Sequence, residues 1–294
     1  MPVSARVGDR LLNGWVGGAN DGTALVFHSG TPFPPVQWGS LDAAARDRGL
    51  RLITYARPGY SGSTRHPGRS VADAAGDTGA VLDELGIGKF MVLGHSGGGP
   101  HALACAALLP GRCEAALSLA GVAPFEADDL DWMAGMGDEN VEEFTTVLEG
   151  EEILRPYLTA YAEHFSEVTA EDVEASLAGL ISEVDGAALT WELAEMMARS
   201  MQRAAKDGIE GWIDDDLAFA KSWGFDLKVI RVPVGVWQGR HDRMVPFAHG
   251  EWLHSNIETS KPRLLDNEGH ISLLTDRLGD IIADLVELAE SAGR

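Results

Sequence analysis

Cysteine is nearly absent: Cys105 and Cys113 are the only two in 294 residues. Two thiols are too few for a disulfide framework or a cysteine-rich zinc site, and they fit a chain working in the cytoplasm. Basic residues are scarce as well, 23 Lys and Arg against 45 Asp and Glu, for a formal charge of −22. So acidic a surface repels phosphate backbones and anionic lipid heads, which excludes nucleic acid and membrane surfaces as expected partners. Long apolar runs are missing too. Stretches such as Ala102 to Leu109 fall well short of the ~20 residues that a membrane span needs. The opening MPVSARVGDR has no apolar signal core and reads as a mature start. No unit of ~20–50 residues repeats, and no tract is of low complexity.

What is present is a globular composition, 45% hydrophobic and 23% charged. The length suits two domains, or one α/β domain with an insertion. Ala24 to Phe27 reads as a buried strand that ends in His28-Ser29-Gly30-Thr31-Pro32. Gln37 to Gly49 has a helical pattern, Arg51 to Tyr55 is a strand, and Val71 to Leu85 is a helix with Val81, Leu82 and Leu85 on one face. Phe90 to Leu93 is a strand, Pro100 to Leu109 a helix and Ala115 to Leu119 a strand. This alternation points to a mostly parallel sheet covered on both faces, the α/β class.

The pattern changes between Pro124 and Gly224, where only helical periodicity is found. Val141, Phe144 and Leu148 recur at helical spacing, as do Leu154, Tyr157, Leu158 and Tyr161. Thr169 reads as the N-cap of a helix burying Val173, Leu177 and Leu180. Leu189, Leu193, Met196, Met197, Ser200 and Met201 outline another helix. Strand signals return at Val232 to Trp237 and around Arg263 to Leu265, and a helix over Ser272 to Ala289 follows. The expected division is a core of residues 1–123 and 225–294 with an all-helical insertion over 124–224.

Gly94-His95-Ser96-Gly97-Gly98 follows a strand and opens a helix, the setting of a Gly-x-Ser-x-Gly nucleophile elbow. A serine on so sharp a turn holds strained backbone, and the glycines two before and two after supply the room. The alternative is an ordinary nucleotide-binding turn. No Gly-Lys-Ser/Thr ending and no helix-opening Gly-x-Gly-x-x-Gly supports it.

A serine hydroxyl needs a base, and there are nine histidines. Hydrolases with this elbow run in the order serine, acid, histidine, which leaves His164, His241, His249, His254 and His270. His270, in Asp266-Asn267-Glu268-Gly269-His270, lies in the loop after the last strand, on the sheet edge where the elbow opens. The orienting acid is expected to be Asp242, at the carboxyl end of the strand Val234 to Gln238. Its rivals Asp128, Asp129 and Asp131 belong to a stretch from Glu126 to Glu152 with eleven acidic residues and no Lys or Arg, a pattern usual for a solvated face. The oxyanion needs two N–H donors: Gly97 is one, and Thr31, in the loop after His28, is the other. Pro32 has no N–H and is excluded. His28, His95 and His101 read as packing or hydrogen-bonding residues, and Cys105 as a small buried apolar residue.

Taken together, His28-Ser29-Gly30-Thr31-Pro32, Arg57-Pro58-Gly59-Tyr60-Ser61-Gly62, the elbow, Gly239-Arg240-His241-Asp242 and Gly269-His270 resemble the α/β-hydrolase fold family, in its capped members. The resemblance covers about residues 20–123 and 225 onward, and the helical middle matches a cap in position alone. It implies a Ser-Asp-His triad, carried over as Ser96, Asp242 and His270, with no metal and no cofactor. Many relatives carry Asp before the Arg-Pro-Gly run, where this chain has Ala56; that departure bears on a local salt bridge, not on the triad. A serine nucleophile disfavours haloalkane dehalogenase and epoxide hydrolase activities, whose relatives use aspartate.

The expected function is hydrolysis of a small ester, amide or related carbonyl compound through an acyl-enzyme. Activity should fall as the pH drops below about 6 to 7, where the histidine base takes a proton. Carbon–carbon hydrolysis, lactone hydrolysis and perhydrolysis use the same triad, and a ligand-binding signalling protein could keep the fold with little turnover. Trp132, Met133 and Met136 are the expected pocket residues. Met196, Met197 and Met201 read as the core of a helical cap. The nearby acidic run disfavours anionic substrates, so an apolar or uncharged small molecule is expected. The sequence leaves monomer and homo-oligomer equally open.

Overall fold

A computed structural model describes residues 1–292. Its centre is a single eight-stranded sheet. The strands are β1 (Pro2–Val7), β2 (Arg10–Gly18), β3 (Thr23–His28), β4 (Leu50–Tyr55), β5 (Phe90–His95), β6 (Cys113–Leu119), β7 (Val234–Gly239) and β8 (Ser260–Leu265). Their order across the sheet is β1-β2-β4-β3-β5-β6-β7-β8. β2 runs antiparallel to both β1 and β4, and the remaining neighbours pair in parallel.

Helices α1 (Gly39–Asp47), α2 (Asp73–Glu84) and α3 (Gly98–Leu108) alternate with the first strands. Between β6 and β7 come α4 (Asp138–Leu148), α5 (Glu151–Phe165), α6 (Val173–Ser176), α7 (Glu183–Ala188), α8 (Trp191–Asp207) and α9 (Glu210–Phe219). The chain then returns to the sheet with α10 (Phe247–Asn256), α11 (Ser272–Asp276) and α12 (Leu278–Ala292). β5 explains the unbroken apolar runs of the central strands. Phe90 and Val92 pack with α3, Met91 and Leu93 with α1 and α12, and all four are buried. A parallel strand covered on both faces has no polar side to spare.

The structure departs from the sequence reading at several elements, among them α7 and α9, which were not expected. The β1–β2 hairpin was not expected, because glycines and Asn13 dilute the strand signal of β2. Gly14 is needed there: a Cβ would fall 2.2 Å from the Thr54 carbonyl of β4. Thr169 does not cap a long helix. Its N–H and hydroxyl donate to the Asp172 carboxylate, and only the four-residue α6 follows. Side-chain caps come later, at Ser182, whose hydroxyl accepts from the Asp185 N–H at the start of α7, and at Thr190, whose hydroxyl accepts from the Leu193 N–H at the start of α8.

The helices between β6 and β7 reach the carboxyl edge of the sheet through two buried aspartates. Asp215 of α9 bonds Thr31 beyond β3 and Arg57 beyond β4, and Asp185 of α7 bonds the chain beyond β8. The sheet edge where open α/β folds bind ligands is therefore held from above.

Candidate active site

Ser96 stands between β5 and α3 with φ +54°. Left-handed backbone is costly for a residue with a side chain, about 1–3 kcal/mol, and persists only where surroundings enforce it. Here the Ser96 N–H donates to the Leu119 carbonyl at 2.8 Å. A Cβ at Gly94 would lie 2.1 Å from the Gly98 carbonyl oxygen, and one at Gly98 would lie 2.1 Å from that of His28. Both elbow glycines are therefore required by backbone crowding, as their spacing predicts.

Asp242 and His270 meet from the loops after β7 and β8. His270 Nδ1 lies 2.7 Å from Asp242 Oδ2, and both residues are buried. The same carboxylate accepts from Gln238 Nε2 at 2.9 Å and from the N–H groups of Met244 and Val245 at 2.9 and 2.8 Å. Surrounded by donors, it accepts a hydrogen bond from His270 Nδ1–H, which leaves Nε2 without the proton. Burial alone would lower the titration of His270. The charge of Asp242, its hydrogen bond and the more distant Asp185 outweigh that, so the imidazole titrates above its ordinary value.

Gly97 and Thr31 also meet. A Cβ on Gly97 would fall 2.6 Å from Thr31 Oγ1, and neither backbone N–H donates to another group among the described residues. The Thr31 loop is pinned by charge. Arg57 donates to the Ser29 carbonyl at 2.6 Å and to Thr31 Oγ1 at 3.1 Å, and Thr31 Oγ1 donates to Asp215 at 2.7 Å. Asp215 also accepts from Tyr60 at 3.0 Å and pairs with Arg69 at 2.7 Å. Burial works against its charge, but Arg57 and Arg69 hold its carboxyl well below the usual range. Next to Ala56, Arg57 takes its carboxylate from α9, more than 150 residues on.

Asp185 does the corresponding work for the histidine loop. Its Oδ1 accepts from the N–H groups of Ile271 and Ser272 at 2.7 and 3.0 Å. Sequence reasoning missed both aspartates. The signal for Asp215 is an acidic triplet, Asp214 to Asp216, inside the apolar run from Trp212 to Phe219. Three buried charges in such a run need partners.

Two cavities open at Ser96. The first, about 840 Å³ of unfilled space, is bordered by Ser96 and His270 and walled by Trp15, Phe27, Trp38, Leu193, Met196 and Met197 among other apolar groups. The second, about 780 Å³, is bordered by Ser96 and Gly97 and contains Glu139, Glu143 and Asp216. Trp132, Met133 and Met136 line neither. Trp132 is buried, donates to the Ala123 carbonyl and packs edge-on against Phe144 and His249, and both methionines join the same core. The expectation for them fails because these side chains are spent on core packing around Phe125, Phe144 and His249. Met196 and Met197, read as core, line the first cavity instead.

Four further histidines sit in the core of the sheet domain or beside it. His249 accepts from the Ala123 N–H and sits 2.8 Å from the Trp132 carbonyl, and burial lowers its pKa to about 4. His28 is buried near Thr78 and lowered to about 3, and His101 Nδ1 bonds the Gly97 carbonyl. His95 is closer to the chemistry, its ring 4.7 Å from that of His270. Asp128, Asp129 and Asp131 are exposed and far from a triad role.

The sequence model of the α/β hydrolase fold family matches residues 11–276. The chain belongs to the α/β hydrolase fold family and is an enzyme of the hydrolase class. It is 28% identical over 233 residues to a non-heme chloroperoxidase of Streptomyces lividans, 79% of this chain and 78% of that one. It is 25% identical to a bifunctional esterase/perhydrolase of Acinetobacter calcoaceticus, over 78% of each. An α/β hydrolase fold protein from Nakamurella multipartita superposes with a TM-score of 0.69 at 24% identity, over all of both chains. No helix among the described residues is long and apolar enough to cross a membrane.

Proposed function

We propose that the protein is a serine hydrolase of small esters, amides or related carbonyl compounds. Ser96 Oγ attacks the carbonyl carbon as His270 Nε2 takes its proton, and Asp242 steadies the imidazolium through Nδ1–H. The N–H groups of Gly97 and Thr31 hold the oxyanion, which collapses to an acyl-enzyme as His270 protonates the leaving group. Water, deprotonated by His270, then releases the acid. The observation that carries this reading is the 2.7 Å Asp242–His270 pair, of which His270 borders the cavity where Ser96 stands at φ +54°. Residues 124–224 act as a cap on a core of 1–123 and 225–294, the substrate is a small molecule with an apolar portion in the first cavity, and the enzyme works in the cytoplasm.

A second reading has support from the relatives named chloroperoxidase and esterase/perhydrolase. In it hydrogen peroxide replaces water in deacylation, so the acyl-enzyme yields a peracid and free Ser96. Product analysis with and without peroxide separates the two. The hydrolase reading is tested with p-nitrophenyl esters from acetate to octanoate on wild type and Ser96→Ala. A fall of about 10⁴ or more is expected in the variant. A folded wild type without turnover on any of them would contradict it.

A further inference from the structure

We infer that the second cavity beside Ser96 receives an ammonium group, so that preferred substrates carry a positive charge close to the scissile carbonyl. The inference rests on the hydrolase reading above and deepens it. Three carboxyl groups, Glu139, Glu143 and Asp216, border this cavity together with Ser96, Gly97 and Thr31, and no Lys, Arg or His does. Asp216 is 1% exposed, and its Oδ2 has no hydrogen-bond partner; Glu139 Oε2 is likewise buried and unpartnered. Glu143 accepts from Trp212 Nε1 at 2.7 Å, which fixes it in the cavity wall.

Burial pushes the Asp216 carboxyl well above the usual range, and the charge of Glu143 and a hydrogen bond to it add to that. Burial raises Glu143 also, against its hydrogen bonds from Asp216 and Trp212. The two carboxyls lean on each other while Asp216 Oδ2 stays unpartnered. Uncompensated buried carboxylates are expensive, and folded chains rarely keep them without a partner. A bound hydroxyl or amide would satisfy the lone oxygens, whereas a cation would also favour the ionised form that burial and crowding disfavour. An ammonium meets both needs. The remaining walls favour it as well. Trp212 and Phe165 are stacked at 5.8 Å and 4°, and Tyr161 stands edge-on to both. Aromatic faces beside carboxylates are the surroundings that organic cations seek. A metal ion fits poorly, since no three His, Cys, Asp or Glu side chains among the described residues are placed to hold one.

The test uses the rate at which a small fluorophosphonate labels Ser96, with butylammonium and butan-1-ol as competing ligands. In wild type, butylammonium is expected to half-protect Ser96 at a concentration at least about tenfold lower than butan-1-ol. That advantage should shrink by at least about tenfold in Asp216→Asn and in Glu143→Gln. Labelling with equal protection by both ligands, or an advantage unmoved in both variants, overturns the ammonium assignment and leaves the hydrolase reading standing. A folded wild type whose Ser96 is not labelled overturns both. If one variant misfolds, the other and the wild-type comparison still decide.

Discussion

Asp215 and Asp216 are neighbours in α9 and both are buried, yet they live in opposite surroundings. Asp215 faces the sheet, where Arg57, Arg69, Tyr60 and Thr31 converge on it. Asp216 lines the cavity at Ser96, forms no salt bridge among the described residues and lies beside the Glu143 carboxyl, with Arg69 acting only from a distance. The first carboxyl is held below its usual range and the second pushed above it. Burial is common to both, so the partner decides. The contrast separates a side chain that builds the site from one left for something to bind. Asp242 and Asp185 resemble Asp215 in being buried and used up on named donors of the loops beside Ser96, although at Asp242 burial still outweighs those donors and pushes its carboxyl up.

The sharpest way to break this contrast is to spoil the most fully partnered carboxylate. In Asp242→Asn an amide N–H can face His270, which then presents the wrong tautomer, and kcat should fall by about 10⁴ with the fold intact. Asp215→Asn comes next. It strands Arg57 and Arg69 in the interior, and denaturant unfolding should report a loss of about 3–5 kcal/mol, with the Thr31 loop loosened. Asp185→Asn keeps an acceptor for Ile271 and Ser272 but removes charge, so its stability cost is nearer 1 kcal/mol.

Asp185→Asn has a second readout. In the proposed mechanism His270 acts as the neutral base, so wild-type activity should fall as the pH drops through a value raised above that of a free imidazole. The negative charge of Asp185 helps to raise that value, and its loss should move the acid limb of kcat/KM to lower pH. Asp216→Asn is the smallest change and has the opposite sign: stability should hold or rise by up to about 1 kcal/mol at neutral pH. Linkage gives a further check on the pair. A lowered carboxyl such as Asp215 stabilises above its unfolded pKa and loses that as the pH falls through its folded value. A raised one such as Asp216 erodes stability as the pH climbs from about 4 toward its folded value, and Asp216→Asn should flatten that decline.

Most of the sheet was legible in the sequence because its central strands are buried on both faces, which leaves unbroken apolar runs such as Phe90 to Leu93. The elbow was legible because backbone crowding demands glycine at 94 and 98. Asp242 and His270 followed from chain order and strand ends. The β1–β2 hairpin was obscured by glycines that exist to let β4 approach. The pocket was misread because methionines at helical spacing look alike whether they face a core or a cavity, and only the packing of α8 against the Thr31 loop separates Met197 from Met201. Asp185 and Asp215 escaped because their partners lie 86 and 158 residues away in the chain. Glu139 and Glu143 escaped because an acidic stretch looks solvated until a second helix closes over it.

The most direct test of the account is intact-protein and peptide mass spectrometry on enzyme quenched during turnover of a slow p-nitrophenyl ester. The account predicts an added acyl group on the peptide that carries Ser96, lengthened in lifetime as the pH falls through the His270 titration, and absent from Ser96→Ala. Steady turnover with no acyl group on Ser96, or with the acyl group on another residue, would contradict it.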